Sequence, residues 1–418
     1  MVYLLFIFYG ILFCWLITRI RFFNTSGLSK KTLLVLFFIR IFSLLVGSYI
    51  NLYVLPVSDS VTFHNMGIEE FNLLFHNPHQ YFLNFFHNSY VSGYSRVFND
   101  YHSYWNNLRT ILIAKMLSIF DIFSFKIFWI NTLFFNFLVF IGCVALYKVF
   151  IHLFPKCFYQ LIFCVFLLPS ALFFSAMIHR DGLIFLSLSM IIYHLFLMKT
   201  TAFSWKSIFI IALFLMLIFL VRNFVFIAII PALIAWIIAN KFPKHALLSF
   251  FIVYFITSIL FFCSGFISSK TNLPQFVSER QKSFIEIGKM GNSTIPLKPL
   301  SPNFKSYITN APQAFNHALM RPYLLKIINW QFLPFAIEIF LIEILSLFFI
   351  FYHKKKIVVN PLIYFCLFLS MGVMLEIGYT VPIIGSIVRY RSIYFTLLLI
   401  PVFCYMDWQK FLKLFKKN

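Results

Sequence analysis

Apolar residues fall in long blocks along this chain, and short polar segments carrying most of the Lys and Arg divide them. A helix needs roughly 20 apolar residues to cross the hydrocarbon core of a bilayer. The blocks predict spans near 2–18, 33–55, 126–147, 158–176, 183–198, 207–221, 223–239, 246–264, 331–352, 357–376 and 389–406. The expected fold is therefore an all-α polytopic membrane protein of about eleven helices, a single integral membrane domain over 1–418. The first block lacks a basic start and a small-residue cleavage site, so it reads as a retained helix and not as a signal peptide. The break between 207–221 and 223–239 is only Arg222-Asn223, which predicts a tight hairpin with Arg222 at the outer surface.

Composition agrees with this pattern. Of 418 residues, 61% are hydrophobic and 11% charged, with a mean hydropathy of +0.90. No water-soluble fold needs that much apolar surface. The basic residues set the orientation: Arg19/Arg21/Lys30/Lys31, Lys148/Lys156, Lys199/Lys206, Lys241/Lys244, Lys354–Lys356 and Lys410–Lys417 all fall on one side if the chain alternates through the spans. The positive-inside rule makes that side cytoplasmic, with the N-terminus outside and the C-terminus inside. Of the twelve acidic residues, only Asp407 lies in those segments.

Two connections are long, 56–125 and 265–330, and both fall outside. Loops of such length are usually functional or disordered, and these are rich in aromatic and apolar residues. Segments 66–86 and 108–120 predict amphipathic helices lying on the membrane. The second loop holds eight Lys or Arg against two Glu, a basic surface suited to a lipid phosphate or pyrophosphate. Seven scattered cysteines, with no CxxC, read as packing residues. His76 and His79 share one face of a continuous helix, but no third ligand has convincing spacing, so no metal is expected.

Candidate chemistry gathers at a few points. His179-Arg180-Asp181 interrupts "PSALFFSAMIHRDGLIFLSLSMIIY" at 169–193. Two readings fit it: Asp181 capping the leaving helix beside headgroup-anchoring Arg180 and His179, or a trio facing a site. Pro169 predicts a kink in the entering helix. Asp59, in "PVSDSVTF", is either a cap or a carboxylate placed to take a proton from a hydroxyl. In "GYTVPIIGSIVRYRS" at 378–392, Arg389 and Arg391 are two apart, so on a regular helix only one can grip a phosphate. Arg321 in "LMRPYL" is a third clamp candidate. Arg40, Glu338 and Glu343 fall inside spans, where charge is a functional candidate by default. Arg40 is expected to snorkel inward, and Glu338 to face a cavity. There is no P-loop, no GxGxxG, no DxD pair and no evident internal repeat. Donors activated by a nucleotide in the cytoplasm therefore do not fit.

"LPSALFFSAMIHRDG", "IIGSIVRYRS" and "RPY" resemble short segments of bacterial GT-C superfamily glycosyltransferases. The Phe-rich, Lys-rich build with two large outer loops also resembles O-antigen and capsule repeat-unit polymerases. The resemblance implies a GT-C-like membrane glycosyltransferase of surface polysaccharide assembly in the bacterial inner membrane. Its donor would be a polyprenyl-(pyro)phosphate-linked sugar taken at the outer face, with membrane lipids and a chain-length regulator or flippase of the same pathway as partners. No cofactor, metal or nucleic acid is implied. The catalytic acid of the first outer loop would fall on Asp59. Because Asp59 follows the second hydrophobic segment and not the first, Asp181 is a rival. Arg180, Arg389, Arg391, Arg321 and Arg222 would hold the phosphate, and His64, Tyr94 and Trp105 the sugars. A transferase of single sugars and a polysaccharide flippase remain the alternatives. Most ionisable residues lie at one surface and not at the midplane, which disfavours transport.

Overall fold

The computed structural model describes the chain except Met1 and residues 56–57, 87–103, 201–203, 268–271, 290–292, 327–328, 355–358 and 414–418; of residues 105–106 and 412–413 it describes the backbone alone. Tyr94 lies outside the described residues, as does the Trp105 side chain. The described residues form helices and no strands. In chain order these are α1 (Val2–Arg19), α2 (Arg21–Asn24), α3 (Lys30–Tyr49), α4 (Asp59–His76), α5 (Pro78–Leu83), α6 (Tyr104–Ser124), α7 (Phe128–Leu153), α8 (Phe158–Ile162), α9 (Pro169–Ala176) and α10 (Arg180–Thr200). There follow α11 (Trp205–Val221), α12 (Asn223–Lys241), α13 (Ala246–Ile267), α14 (Leu273–Gly288), α15 (Phe304–Met320), α16 (Leu333–Phe351), α17 (Pro361–Thr380), α18 (Ile384–Tyr405) and α19 (Trp408–Lys413).

Among the described residues, 9 helical segments are long and apolar enough to cross a membrane. The pair Phe158–Leu167 and Pro169–Ala176, bent by 43°, makes a tenth if counted as one span, and α11 is shorter at 17 residues. The chain is a multi-pass helical membrane protein. The bend has the expected cause: Pro169 has no N–H to continue the preceding turn, which ends as a π-helix over Phe163–Leu167.

Internal contacts divide the chain into two compact units, Met1–His152 with Leu172–Phe226, and Leu153–Ala171 with Ile227–Asn418. In the first, α4 and α6 pack along each other. Gly67 permits this, because a Cβ there would lie 2.7 Å from Leu117 Cβ. The predicted helix over 66–86 breaks at Asn77. Pro78 starts a new helix, and Asn77 caps it by accepting from Gln80 N–H at 3.1 Å. His76 and His79 therefore lie on separate helices, and no metal-binding cluster occurs among the described residues.

Beneath α4 and α5 lies a buried ion pair. Lys115 Nζ is 2.5 Å from Glu70 Oε2, stands 3.5 Å over the centre of the Tyr81 ring and also donates to the Tyr81 carbonyl. Asn84 Nδ2 donates to the other Glu70 oxygen at 3.1 Å. Burial holds Lys115 below the usual lysine range, against the pull of Glu70.

Arg40 does not snorkel. It is 1% exposed and donates to Asn136 Oδ1 at 2.8 Å, Ser175 Oγ at 3.2 Å, Ser175 O at 3.1 Å and Cys143 Sγ at 3.5 Å. Polar groups supplied by α7 and α9 satisfy the guanidinium inside the bundle, so it has no need to reach an interface.

In the second unit, α14 and α15 lie against α17. At Gly378 an added Cβ would fall 1.9 Å from the Ala314 carbonyl oxygen, so only glycine admits this crossing. Tyr379 Oη donates to Tyr307 O at 2.6 Å, Tyr307 Oη to Pro274 O at 2.8 Å and Gln281 Nε2 to Tyr379 O at 2.7 Å. Leu300, Tyr307, Ala314 and Tyr379 form a buried cluster there. Within this unit Glu338 meets the bend: its two carboxylate oxygens accept from Ser170 N–H and Ser170 Oγ, each at 2.7 Å. A buried carboxylate at a helix N-terminus takes up donors that would otherwise be unsatisfied.

Candidate functional site

The first unit builds its polar centre at the start of α10. Residues 177–179 link α9 to α10, and Gly182 N–H donates to His179 O at 3.1 Å. The first turn of α10 seats on α7 at Gly182, where an added Cβ would lie 2.6 Å from the Phe135 ring. Helix α4 reaches the link from its own N-terminus. Ser60 Oγ donates to Ile178 O at 3.1 Å and lies 3.5 Å from His179 Nε2. Asp59, the first residue of α4, is exposed beside this contact. Arg180 Nη2 donates to Thr110 Oγ1 of α6 at 2.8 Å, and the guanidinium stands 5.1 Å from the centre of the Phe63 ring. A hydroxyl and an aromatic face thus fix the cation in place.

Asp181 does not cap α10. It is the second residue of that helix, and both its oxygens face Arg222 Nη2, at 2.8 and 3.0 Å. Because the pair is almost wholly buried, each charge neutralises the other. Asp181 is therefore not an available base, and Arg222 is engaged by a carboxylate of the chain itself. His64 also departs from its expected place at a sugar. It is 6% exposed, its Nδ1 is 3.2 Å from Asn131 Nδ2, and it makes a further hydrogen bond to the Lys126 backbone. Burial pulls its pKa down to about 4. Asn131 Nδ2 also donates to Asp121 Oδ1 at 2.7 Å, and Ser124 Oγ to the same oxygen at 3.2 Å.

In the second unit the two arginines of α18 part company, as a regular helix requires. Arg391 is 1% exposed, and its Nη1 donates to Ala318 O at 3.0 Å and to Arg321 O. It thereby takes up carbonyls left over where α15 ends. Arg389 is only half-buried, with Nη2 3.2 Å from Tyr390 Oη. Arg321 follows α15 and stacks its guanidinium 4.9 Å from the Tyr323 ring centre. Next to it His317 is buried; burial, and then the charge of Arg321, bring its pKa down to about 4.

Sequence reasoning missed Ser60, Phe63, Thr110, Asp121, Asn131 and His317. Ser60 and Ile178 are 118 residues apart, and Arg180 and Thr110 are 70 apart. No local spacing reports such pairings, and Ser, Thr and Phe are common in this chain. No known family profile, curated protein or solved structure matches the chain.

Proposed function

We propose that this protein is a membrane glycosyltransferase of surface polysaccharide assembly. It uses a polyprenyl-(pyro)phosphate-linked sugar donor at the outer face of a bacterial inner membrane, in the manner of a repeat-unit polymerase. The observation that carries the reading is the first-unit centre. Arg180 is held by Thr110 and Phe63, and the exposed carboxylate of Asp59 adjoins Ser60, which is bonded to the Ile178 carbonyl. A cation fixed at the start of α10 and an exposed carboxylate at the start of α4, whose next residue bonds the link before α10, are groups that glycosyl transfer from a lipid phosphate can use. The carboxylate accepts the proton of the attacking hydroxyl. The guanidinium stabilises charge building on the leaving phosphate.

Asp59 is the base in this scheme, since Asp181 is committed to Arg222. Arg180 is the phosphate ligand of this first-unit site. Arg391 and Arg222 act by positioning. Removing a preorganised electrostatic stabiliser typically costs about 2.7–4 kcal/mol in the transition state. Arg180→Ala is therefore expected to shorten the surface polysaccharide and accumulate lipid-linked single repeats, at unchanged protein level. Asp59→Asn should do the same. Normal chain length in both variants would refute the reading. A product lacking one sugar, without lipid-linked repeats, would point to a transferase of single sugars.

A further inference from the structure

Two buried oxygens under the α4–α6 pair lack partners, and they belong to residues already joined to each other. Asn131 Nδ2 donates to Asp121 Oδ1 at 2.7 Å, while Asp121 Oδ2 and Asn131 Oδ1 have none. Asp121 is 1% exposed and Asn131 0%. Oδ2 lies against α4 at Gly67, 3.6 Å from where a Cβ would stand. Two lone-pair oxygens left bare in such a place are costly. A carboxylic acid and a primary amide, in contrast, join through two parallel hydrogen bonds: N–H to carbonyl oxygen in one direction and O–H to amide oxygen in the other. In that pairing, one proton on Oδ2 satisfies both atoms at once.

We propose that Asp121 is held as a neutral carboxylic acid that donates to Asn131 Oδ1, and that its ionisation at alkaline pH unlatches the α4–α6 pair from α7. Deprotonation sends the Oδ2 proton to solvent and leaves a carboxylate facing the Asn131 carbonyl oxygen, which repels it. The surroundings favour the neutral form, because burial raises the Asp121 pKa more than Asn131, Ser124 and Lys126 lower it. The titratable groups facing it are few. His64 of α4 bonds the same Asn131 amide and is neutral, and Lys126 in the α6–α7 turn reaches out to Asn72 Oδ1 at 2.8 Å and the Phe71 ring. On α4, Glu70 is taken by Lys115 of α6. The latch matters because α4 and α6 carry Ser60, Phe63 and Thr110, which hold the Ile178–Arg180 link. Its chemistry stands whether or not the proposed reaction does.

Infrared difference spectroscopy of the full-length protein in lipid tests this directly. At neutral pH a protonated-carboxyl C=O band is expected, and it should be missing in Asp121→Asn. At alkaline pH the band should vanish from the native protein. Amide exchange in α4 and α6 should then exceed that of Asp121→Asn measured at the same pH. Ser124→Ala removes a donor that favours the ionised form, so the titration midpoint should move up; this variant serves if Asp121→Asn fails to fold. A native protein without the band at neutral pH would overturn the proposal. So would exchange that tracks that of Asp121→Asn at every pH, or a band abolished by sodium, which would place a cation and not a proton between the two oxygens.

Discussion

His64 shows how one side chain can change role between sequence and structure. In an aromatic loop it reads as a sugar contact; in the fold it is a neutral buried ring tied to Asn131 and the Lys126 backbone. That burial makes stability depend on pH. The folded pKa is about 4 against an ordinary 6.5, so between those values the unfolded chain binds more protons. The contribution of His64 is complete above about 6.5 and is lost as pH falls towards 4, up to about 3 kcal/mol. Thermal unfolding of the detergent-solubilised protein across this range checks it. His64→Leu should flatten the acid loss relative to the native protein, whereas parallel curves would show that the ring is not the cause. Arg389 and Arg391 make the same point by separating: two positions on a regular helix put one cation under the end of α15 and leave the other half-exposed.

At the scale of elements, the spans were legible because burying an apolar face in lipid and satisfying the backbone within one helix are local demands. Pro169 gave the bend in advance for the same reason. The polar pairings were not legible. Nothing local in Glu70 announces Lys115, nor in Asp181 announces Arg222, since each pair is made by helix packing. The Glu70–Lys115 pair shows what such a buried contact is worth. Breaking one by removing a single partner costs about 3–5 kcal/mol, because the other charge is left buried alone, while replacing both by apolar groups is often neutral. Lys115→Met should therefore destabilise the first unit strongly, and Glu70→Leu with Lys115→Met should recover most of the loss in a denaturation experiment. A double variant no better than the single would mean that the pair itself, and not the unpaired charge, carries the stability.

Taken as a whole, the molecule spends its few charges sparingly. Arg40, Asp181, Arg222, Glu338 and Arg391 are all answered by partners within their own unit. Asp59 is exposed at the head of α4, and Arg180 is only half-buried. The proposed transfer from a lipid phosphate stands on those two residues. The decisive measurement is transfer by the purified protein in liposomes supplied with polyprenyl-pyrophosphate-linked oligosaccharide. The account predicts longer lipid-linked glycan with release of polyprenyl pyrophosphate, reduced about 100-fold or more by Arg180→Ala. Lengthening that proceeds equally well in Arg180→Ala and Asp59→Asn would contradict it.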